Sequence, residues 1–219
     1  MKGAPGRLAL GVGLAAAQAA FALTFRGPRP RFWQRMTLTG LSLGSFALAV
    51  SPPARRVRIG LKEVTMGLAS ASVLYATFQA GDRFARRVVP GGEAQIRDIY
   101  TLRTLRPRGE IAGRLVAVIG PAEELFWRGM VQAAFMRWLG RWRGAAAGAA
   151  AYGGVHLVTG NFTLFGAAGI AGAHWSALYA AGMPLGALIV SHAAWDVWIF
   201  LLQPTMELGE EDLMADAAI

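Results

Sequence analysis

The chain contains no cysteine and few charged residues, and each shortage excludes a class of protein. Without cysteine there is no thiol nucleophile, no cysteine-ligated zinc or iron–sulfur cluster and no disulfide scaffold. Charged residues make up 16% and apolar residues 54% of the 219 residues, whereas typical soluble domains contain about 25% and about 45–50%. This composition excludes a disordered chain and a coiled coil. It predicts an integral membrane protein.

Acidic residues are also scarce, with 13 Asp and Glu against 22 Lys and Arg and a net charge of +9. The basic residues end at Arg143 and form short clusters between apolar runs, for example within residues 26–35, 55–62 and 83–87. Such clusters flank membrane spans and contact anionic headgroups, whereas a nucleic-acid binder needs a basic face on a soluble module. We therefore expect the lipid bilayer, and not nucleic acid, as a partner.

Seven segments approach the roughly 20 residues that a helix needs to cross a bilayer. They predict an all-α fold, a polytopic membrane helix bundle of about seven transmembrane helices. We favour a retained first helix over a cleaved signal peptide, because its apolar run is long and further spans follow. Small residues in the fifth and sixth segments permit close helix packing. The segments are Leu8–Phe25, Met36–Val50, Val64–Gly81, Leu115–Trp138, Gly144–Val158, Phe162–Ala181 and Leu185–Leu202.

The predicted organisation has three parts, namely N-terminal membrane helices with a basic segment (1–114), a core of membrane helices (115–202) and an acidic tail (203–219). Within the first part, apolar residues recur every three positions from Ile96 to Leu105. This stripe predicts an interfacial helix whose Arg103 and Arg106 reach the headgroups. An ordinary connecting helix is the alternative.

Ionisable residues inside apolar segments are functional candidates, because a polar group within the membrane is costly unless it is paired. Glu124 and Arg128 are four residues apart, so they share a helix face and can form an ion pair. Glu123 is rotated by about 100° from Glu124 and faces another direction. The same four-residue spacing separates Tyr152 from His156 and His192 from Asp196.

These three patterns carry a resemblance to a known family. The sequence from Glu123 to Arg128 resembles the E-E-x-x-x-R motif of the CPBP family (CAAX-protein endopeptidases and bacteriocin-processing proteins, also called the ABI family). Tyr152 and His156 are similar to its F-x-x-x-H motif, with Tyr in place of Phe. The His192-x-x-x-Asp196 sequence is similar to its H-x-x-x-N or D motif, and the three motifs follow in the family's order.

The resemblance implies an intramembrane endopeptidase that hydrolyses a peptide bond of a membrane-associated protein or peptide. Glu123 would act as general base on a water molecule held jointly with His156, and His192 and Asp196 would position or stabilise the oxyanion. Glu124 and Arg128 would be the supporting pair. We expect the four catalytic side chains to converge in one polar cavity.

Metal use and function have alternatives. The resemblance favours a metal-free, glutamate-activated water, but Glu123, His156, His192 and Asp196 also form a ligand set suited to zinc. A proton or ion pathway is an alternative function, since chains of Glu, His and Asp build relays in membranes. A non-catalytic membrane scaffold or immunity protein is another. The composition, rich in Ala, Gly and Arg, favours the bacterial inner membrane.

Two further polar residues lie close to these motifs in the sequence. His174 in the sixth segment either faces the same cavity or packs at the interface. Ser191 points about 100° away from His192 on an ideal helix, so we expect a hydroxyl used in helix packing and not a nucleophile.

Overall fold

The computed structural model describes residues 5–207 and contains only helices, turns and loops in that range, with no β-strand. The all-α fold predicted from the sequence is therefore confirmed. The α-helices are α1 Arg7–Phe25, α2 Phe32–Val50, α3 Leu61–Val88, α4 Gly92–Thr101, α5 Arg108–Arg114, α6 Gly120–Phe126, α7 Ala133–Leu139, α8 Arg141–Val155, α9 Phe162–Ala181 and α10 Leu185–Val197.

Helices α5, α6 and α7 follow one another without a loop, as one long helix that contains two π-helical segments. Leu115–Ile119 precedes α6 and Trp127–Gln132 follows it. A third π-helical segment, Trp198–Leu202, extends α10. A π turn contains more residues than an α turn, so it changes the direction of the side chains that follow. The orientation of α6, which is seven residues long, is therefore set by the two segments that flank it.

In the described chain, two helices are long and apolar enough to cross a membrane, namely Arg7–Phe25 and Leu185–Leu202. The predicted bundle of about seven spans is not confirmed. Each of the other described helices misses at least one of the three limits, which are length, mean hydropathy and number of charged residues. Helix α8 has 15 residues, most of them Ala and Gly, and α3 carries charged residues at both ends.

Glycines allow the helices that position the functional residues to pack closely. A Cβ atom added at Gly67 of α3 would lie 2.6 Å from the carbonyl oxygen of Ala187 in α10. A Cβ atom at Gly153 of α8 would lie 3.1 Å from Cα of Gly169 in α9. The close approach predicted from the small residues of the fifth and sixth segments is confirmed for this crossing.

The helix predicted after residue 95 is present as α4, followed by a 3₁₀ turn at Leu102–Thr104. Its buried face contains Ile96 and Tyr100. Arg103 is buried as well, with its guanidinium 5.4 Å from the Tyr100 ring and 3.5 Å from the Glu207 carboxylate. The prediction that Arg103 reaches the headgroups is wrong, because an aromatic ring and a carboxylate hold it inside the protein.

A single hydrophobic core contains residues from the first two predicted parts, for example Phe21 of α1, Leu74 of α3, Phe126 of α6 and Leu188 of α10. The division at residue 114 stays a prediction. Of the predicted acidic tail, residues 203–207 are described and residues 208–219 lie outside the described residues.

Candidate active site

Two helices and one helix end carry the predicted site residues. Glu123 and Glu124 lie on α6, and Arg128 lies in the π-helical segment that follows. His192 and Asp196 lie on α10, which packs against α6. His156 begins the 3₁₀ turn at the end of α8.

The Glu124 carboxylate joins the first motif to the third. Its Oε1 atom lies 2.8 Å from Nη1 of Arg128 and 2.8 Å from Nδ1 of His192. The structure therefore contains the ion pair that the spacing predicts, and its side chains are 1% and 0% exposed. Because a carboxylate can only accept, Nδ1 of His192 is the donor. The contact between Glu124 and His192 links residues 68 positions apart, and the sequence pattern did not indicate it.

The second ring nitrogen of His192 faces the other two predicted acids. Nε2 lies 3.6 Å from Oδ2 of Asp196 and 4.0 Å from Oε2 of Glu123. The buried His192 imidazole is therefore in contact with three different carboxylates, those of Glu123, Glu124 and Asp196. Both distances are longer than a direct hydrogen bond, so a bridging group such as water has room between Nε2 and the two carboxylates.

His156 lies beside this group and is linked to it through Tyr152. Nδ1 of His156 donates a hydrogen bond to the Tyr152 carbonyl oxygen at 2.9 Å, because a carbonyl oxygen can only accept. The two rings are 5.2 Å apart, and Phe21 packs edge-on against His156 at the same distance. The Tyr152 side chain approaches the Glu123 carboxyl group.

Two aromatic residues complete the site, and sequence reasoning missed the role of both. Trp175 of α9 stacks on the His192 ring, with 4.1 Å between the centroids and 20° between the planes. The Arg128 guanidinium lies between Tyr152 and Trp175, 4.6 Å and 5.2 Å from their ring centroids. Such cation–π contacts stabilise a desolvated guanidinium by up to about 2 kcal/mol. The sequence signal available for Trp175 was an indole next to His174 within an apolar segment.

A chain of hydrogen bonds fixes the far edge of Trp175. Its Nε1 donates to Oγ of Ser191 at 3.0 Å, and Ser191 Oγ donates to Oγ of Ser70 at 2.8 Å. Nε2 of His174 lies 3.0 Å from the same Ser70 hydroxyl. His174 therefore belongs to the packing behind the site and is not in direct contact with His192. Ser191 has the packing role that was predicted for it.

A cavity of about 380 Å³ borders the site on the side of Asp196. Asp196 and Trp195 form part of its wall, which is otherwise mostly apolar and comes from α1 to α4, α9 and α10. One site acid thus borders a hydrophobic space, and the convergence of all four catalytic side chains in one polar cavity stays a prediction. Apolar wall residues include Phe25, Trp33, Met36, Phe78, Ile170 and Phe200.

The alternative zinc site would need at least three ligand side chains close together. Among residues 5–207, no three or more His, Asp and Glu side chains are arranged to hold a metal ion. Nδ1 of His156 is engaged by the Tyr152 carbonyl oxygen, and Nδ1 of His192 is engaged by Glu124. Metal dependence stays a prediction of the sequence.

Comparison with known protein families gives a match within the C-terminal half of the chain. A family model described as type II CAAX prenyl endopeptidase Rce1-like matches residues 111–198, a stretch that contains all three motifs. The resemblance to the CPBP family is thereby confirmed for this part of the chain. The family comprises integral membrane proteases, which supports membrane residence and intramembrane protease activity in general. No curated protein and no solved structure matches the chain.

Proposed function

Since residues 111–198 match the Rce1-like family of intramembrane proteases, we propose that this chain hydrolyses a peptide bond of a membrane-associated protein or peptide. We place the reaction inside a bundle of about seven membrane-crossing helices, with α4 lying at the interface, in a bacterial inner membrane. The observation that carries the proposal is the pair of contacts at Glu124 Oε1, which brings the first and third motifs together around His192.

Glu123 is the proposed general base. Its carboxylate is buried, faces Nε2 of His192 at 4.0 Å and lies beside Tyr152. A water molecule bound by Glu123 and His156 would lose a proton to the carboxylate as its oxygen attacks the substrate carbonyl carbon. The proton would then pass to the leaving amine. Glu123 suits this task better than Glu124, whose Oε1 atom is already occupied by two charge-assisted contacts.

His192 and Asp196 are the proposed partners of the oxyanion. With Nδ1 held by Glu124, Nε2 is the nitrogen that remains to contact the reacting oxygen. Asp196 lies 3.6 Å from that nitrogen and would orient it. Donors that are already in place when negative charge develops accelerate acyl transfer by stabilising the transition state. No step of this mechanism uses a metal ion.

The apolar cavity beside Asp196 supports a substrate with a hydrophobic part next to the scissile bond. A protein or peptide cut near its membrane-embedded or lipid-linked end has this character. The matched family is described as CAAX prenyl endopeptidase, and a prenylated peptide is one lipid-linked substrate of this class. The volume of about 380 Å³ lies in the range of sites that bury a small organic group.

The alternative of a proton or ion pathway is less well supported. A relay requires ionisable groups spread along the membrane normal. Here Glu123, Glu124 and Asp196 all lie within 4.0 Å of one imidazole, which is the convergence that a reaction centre requires. A non-catalytic scaffold has no need of such a cluster, because each buried charge costs free energy.

The test is to compare membrane and secreted proteins by mass spectrometry in cells that contain the wild-type chain or Glu123→Gln. We expect at least one protein to be shortened in the wild-type cells alone. Glu93→Gln, an equivalent change at an exposed position of α4, serves as control and should reproduce the wild-type pattern. Identical cleavage in all three strains would contradict the proposed activity.

A further inference from the structure

The connection between α2 and α3 has a backbone that is held firmly against the helices of the site. Ser51 Oγ donates to the carbonyl oxygen of Gly129 at 2.7 Å, and Ala54 is fully buried. At the other end of the loop, a Cβ atom on Gly186 would lie 2.0 Å from the carbonyl oxygen of Arg58. The loop is thus fixed between the π-helical segment after α6 and the beginning of α10.

The same loop and the first turn of α3 carry basic side chains that have no acidic partner among the described residues. Arg56, Arg58 and Lys62 are exposed, and none of them forms an ion pair within residues 5–207. Glu63, the acidic residue of this stretch, accepts a hydrogen bond from the backbone N–H of Gly60 at 2.9 Å. We call Arg56, Arg58 and Lys62 the basic loop cluster. Because the loop backbone is fixed and the three residues lie within seven positions of one another, an anion that binds to them orders little further chain.

An apolar groove of about 550 Å³ opens beside the basic loop cluster. Ile59 and Val116 in its wall are 53% and 52% exposed. Arg55 is the charged residue in the wall, and its guanidinium donates to the carbonyl oxygens that end α2. Further apolar wall residues are Leu48, Val57, Leu125, Ile189 and Val190.

We propose that the basic loop cluster and this groove bind one anionic phospholipid, with an acyl chain in the groove and the phosphate on the three cations. The loop lies at the end of a helix long enough to cross a membrane, Leu185–Leu202, which is where headgroups lie. Arg binds phosphate oxygens through its fork of N–H groups, and a soluble anion would leave the apolar groove uncovered. The site depends on membrane residence and is independent of the proposed hydrolysis.

The experiment measures lipid binding to the purified full-length chain by native mass spectrometry and by thermal unfolding in detergent. The probes are phosphatidylglycerol and phosphatidylcholine with the same acyl chains. The loop variant is Arg56→Gln, Arg58→Gln and Lys62→Gln. The control variant, Arg83→Gln, Arg87→Gln and Arg108→Gln, removes the same charge from other exposed positions.

We expect the wild type to bind phosphatidylglycerol about tenfold more tightly than phosphatidylcholine, since basic side chains near the membrane surface attract anionic headgroups. The loop variant should lose this preference and the control should keep it. Val116→Trp, which fills the groove, should weaken binding of both lipids and retain the preference. Equal binding of the two lipids by the wild type, an equal loss in the control, or full displacement of the lipid by glycerol phosphate would overturn the proposal.

Discussion

The chain contains two arginine–carboxylate pairs with the same four-residue spacing and very different surroundings. Arg86 lies 2.7 Å from Asp82 near the end of α3, where the side chains are 28% and 13% exposed. Arg128 lies 2.8 Å from Glu124, where they are 1% and 0% exposed. The spacing and distance are nearly the same, so the sequence pattern alone does not distinguish the two. Burial decides which pair is dispensable.

The contacts that each pair makes with other residues show its structural role. Arg86 and Asp82 both bind Thr205, through its carbonyl oxygen and its hydroxyl, and so attach the chain after α10 to α3. Glu124 holds the imidazole of His192, and Arg128 is enclosed by two aromatic rings. The first pair connects two segments of chain, whereas the second positions a reaction centre.

The largest effect is expected when the acid beside the buried pair loses its charge. Glu123→Gln should lower turnover by at least about 100-fold, because the amide cannot accept a proton and general-base catalysis contributes about 10²–10⁴-fold. Its thermal stability should stay close to that of the wild type. Glu93→Gln, the same change in the exposed pair of Glu93 and Arg97 on α4, should keep turnover within about twofold. Purified variants are compared by thermal unfolding and by turnover of an identified substrate.

Glu124→Gln should differ from Glu123→Gln in both measurements. It removes the charge that holds Arg128 and His192, so it should lower stability while part of the cleavage remains. An active Glu123→Gln beside a folded but inactive Glu124→Gln would reverse the two assignments.

Removal of each arginine compares the two pairs directly. Arg128→Ala leaves a buried carboxylate without its partner, and we expect a loss of about 3–5 kcal/mol in the free energy of unfolding. Arg86→Ala should cost about 1 kcal/mol or less, since its partner is partly solvated. Chemical unfolding in mixed micelles measures both losses. Equal losses would show that burial is not the deciding difference, and a well-expressed, fully active Arg128→Ala would contradict the supporting role.

A smaller effect is expected at the stacked indole. Trp175→Phe keeps a ring over His192 but loses the hydrogen bond to Ser191, so we expect roughly a tenfold fall in kcat with little change in KM. Ser191→Ala removes the same bond and should lower kcat to a similar extent. Trp142→Phe, at an exposed position on α8, is the control. A change in KM alone would assign Trp175 to substrate binding instead of His192 positioning.

The smallest effect is expected from metal removal. Incubation with a chelator followed by its removal should leave turnover within about twofold, because the proposed mechanism uses water activated by Glu123. A zinc enzyme would lose activity and regain it on addition of zinc. That result would replace the proposed mechanism with the zinc alternative.

Much of the fold could be predicted because the signals are local. The segment Phe162–Ala181 has the predicted bounds, and Leu8–Phe25 differs from α1 by one residue. The contact between Glu124 and Arg128 also follows from spacing along one helix. The number of membrane spans was harder to predict, because helices rich in Ala and Gly occur both inside and outside membranes. Only two of the described helices are both long enough and apolar enough to cross a bilayer.

The contacts between helices could not be predicted from spacing. Nothing in the sequence relates Glu124 to His192 or Trp175 to Ser191, since these pairs depend on how α6, α9 and α10 pack. The burial of Arg103 was missed in part for the same reason, because one partner is the ring of the nearby Tyr100 but the other is the Glu207 carboxylate, 104 positions away. The assignments of Glu123, His156, His192 and Asp196 to catalysis stay predictions.

The π-helical segments on either side of α6 determine how the rotational orientation of this helix responds to a change in chain length. Each one accommodates surplus residues in a turn, so the loss of a single residue from Leu115–Ile119 or Trp127–Gln132 could be absorbed as an ordinary α turn. A deletion of this kind would leave α6 and α7 in their places, with Glu123 and Glu124 still facing His192. A deletion inside α6 itself removes no surplus residue, so the side chains on one side of it would rotate by about 100° and one or both glutamates would turn away from His192. One-residue deletions in the π-helical segments and in α6 should therefore have opposite effects on cleavage.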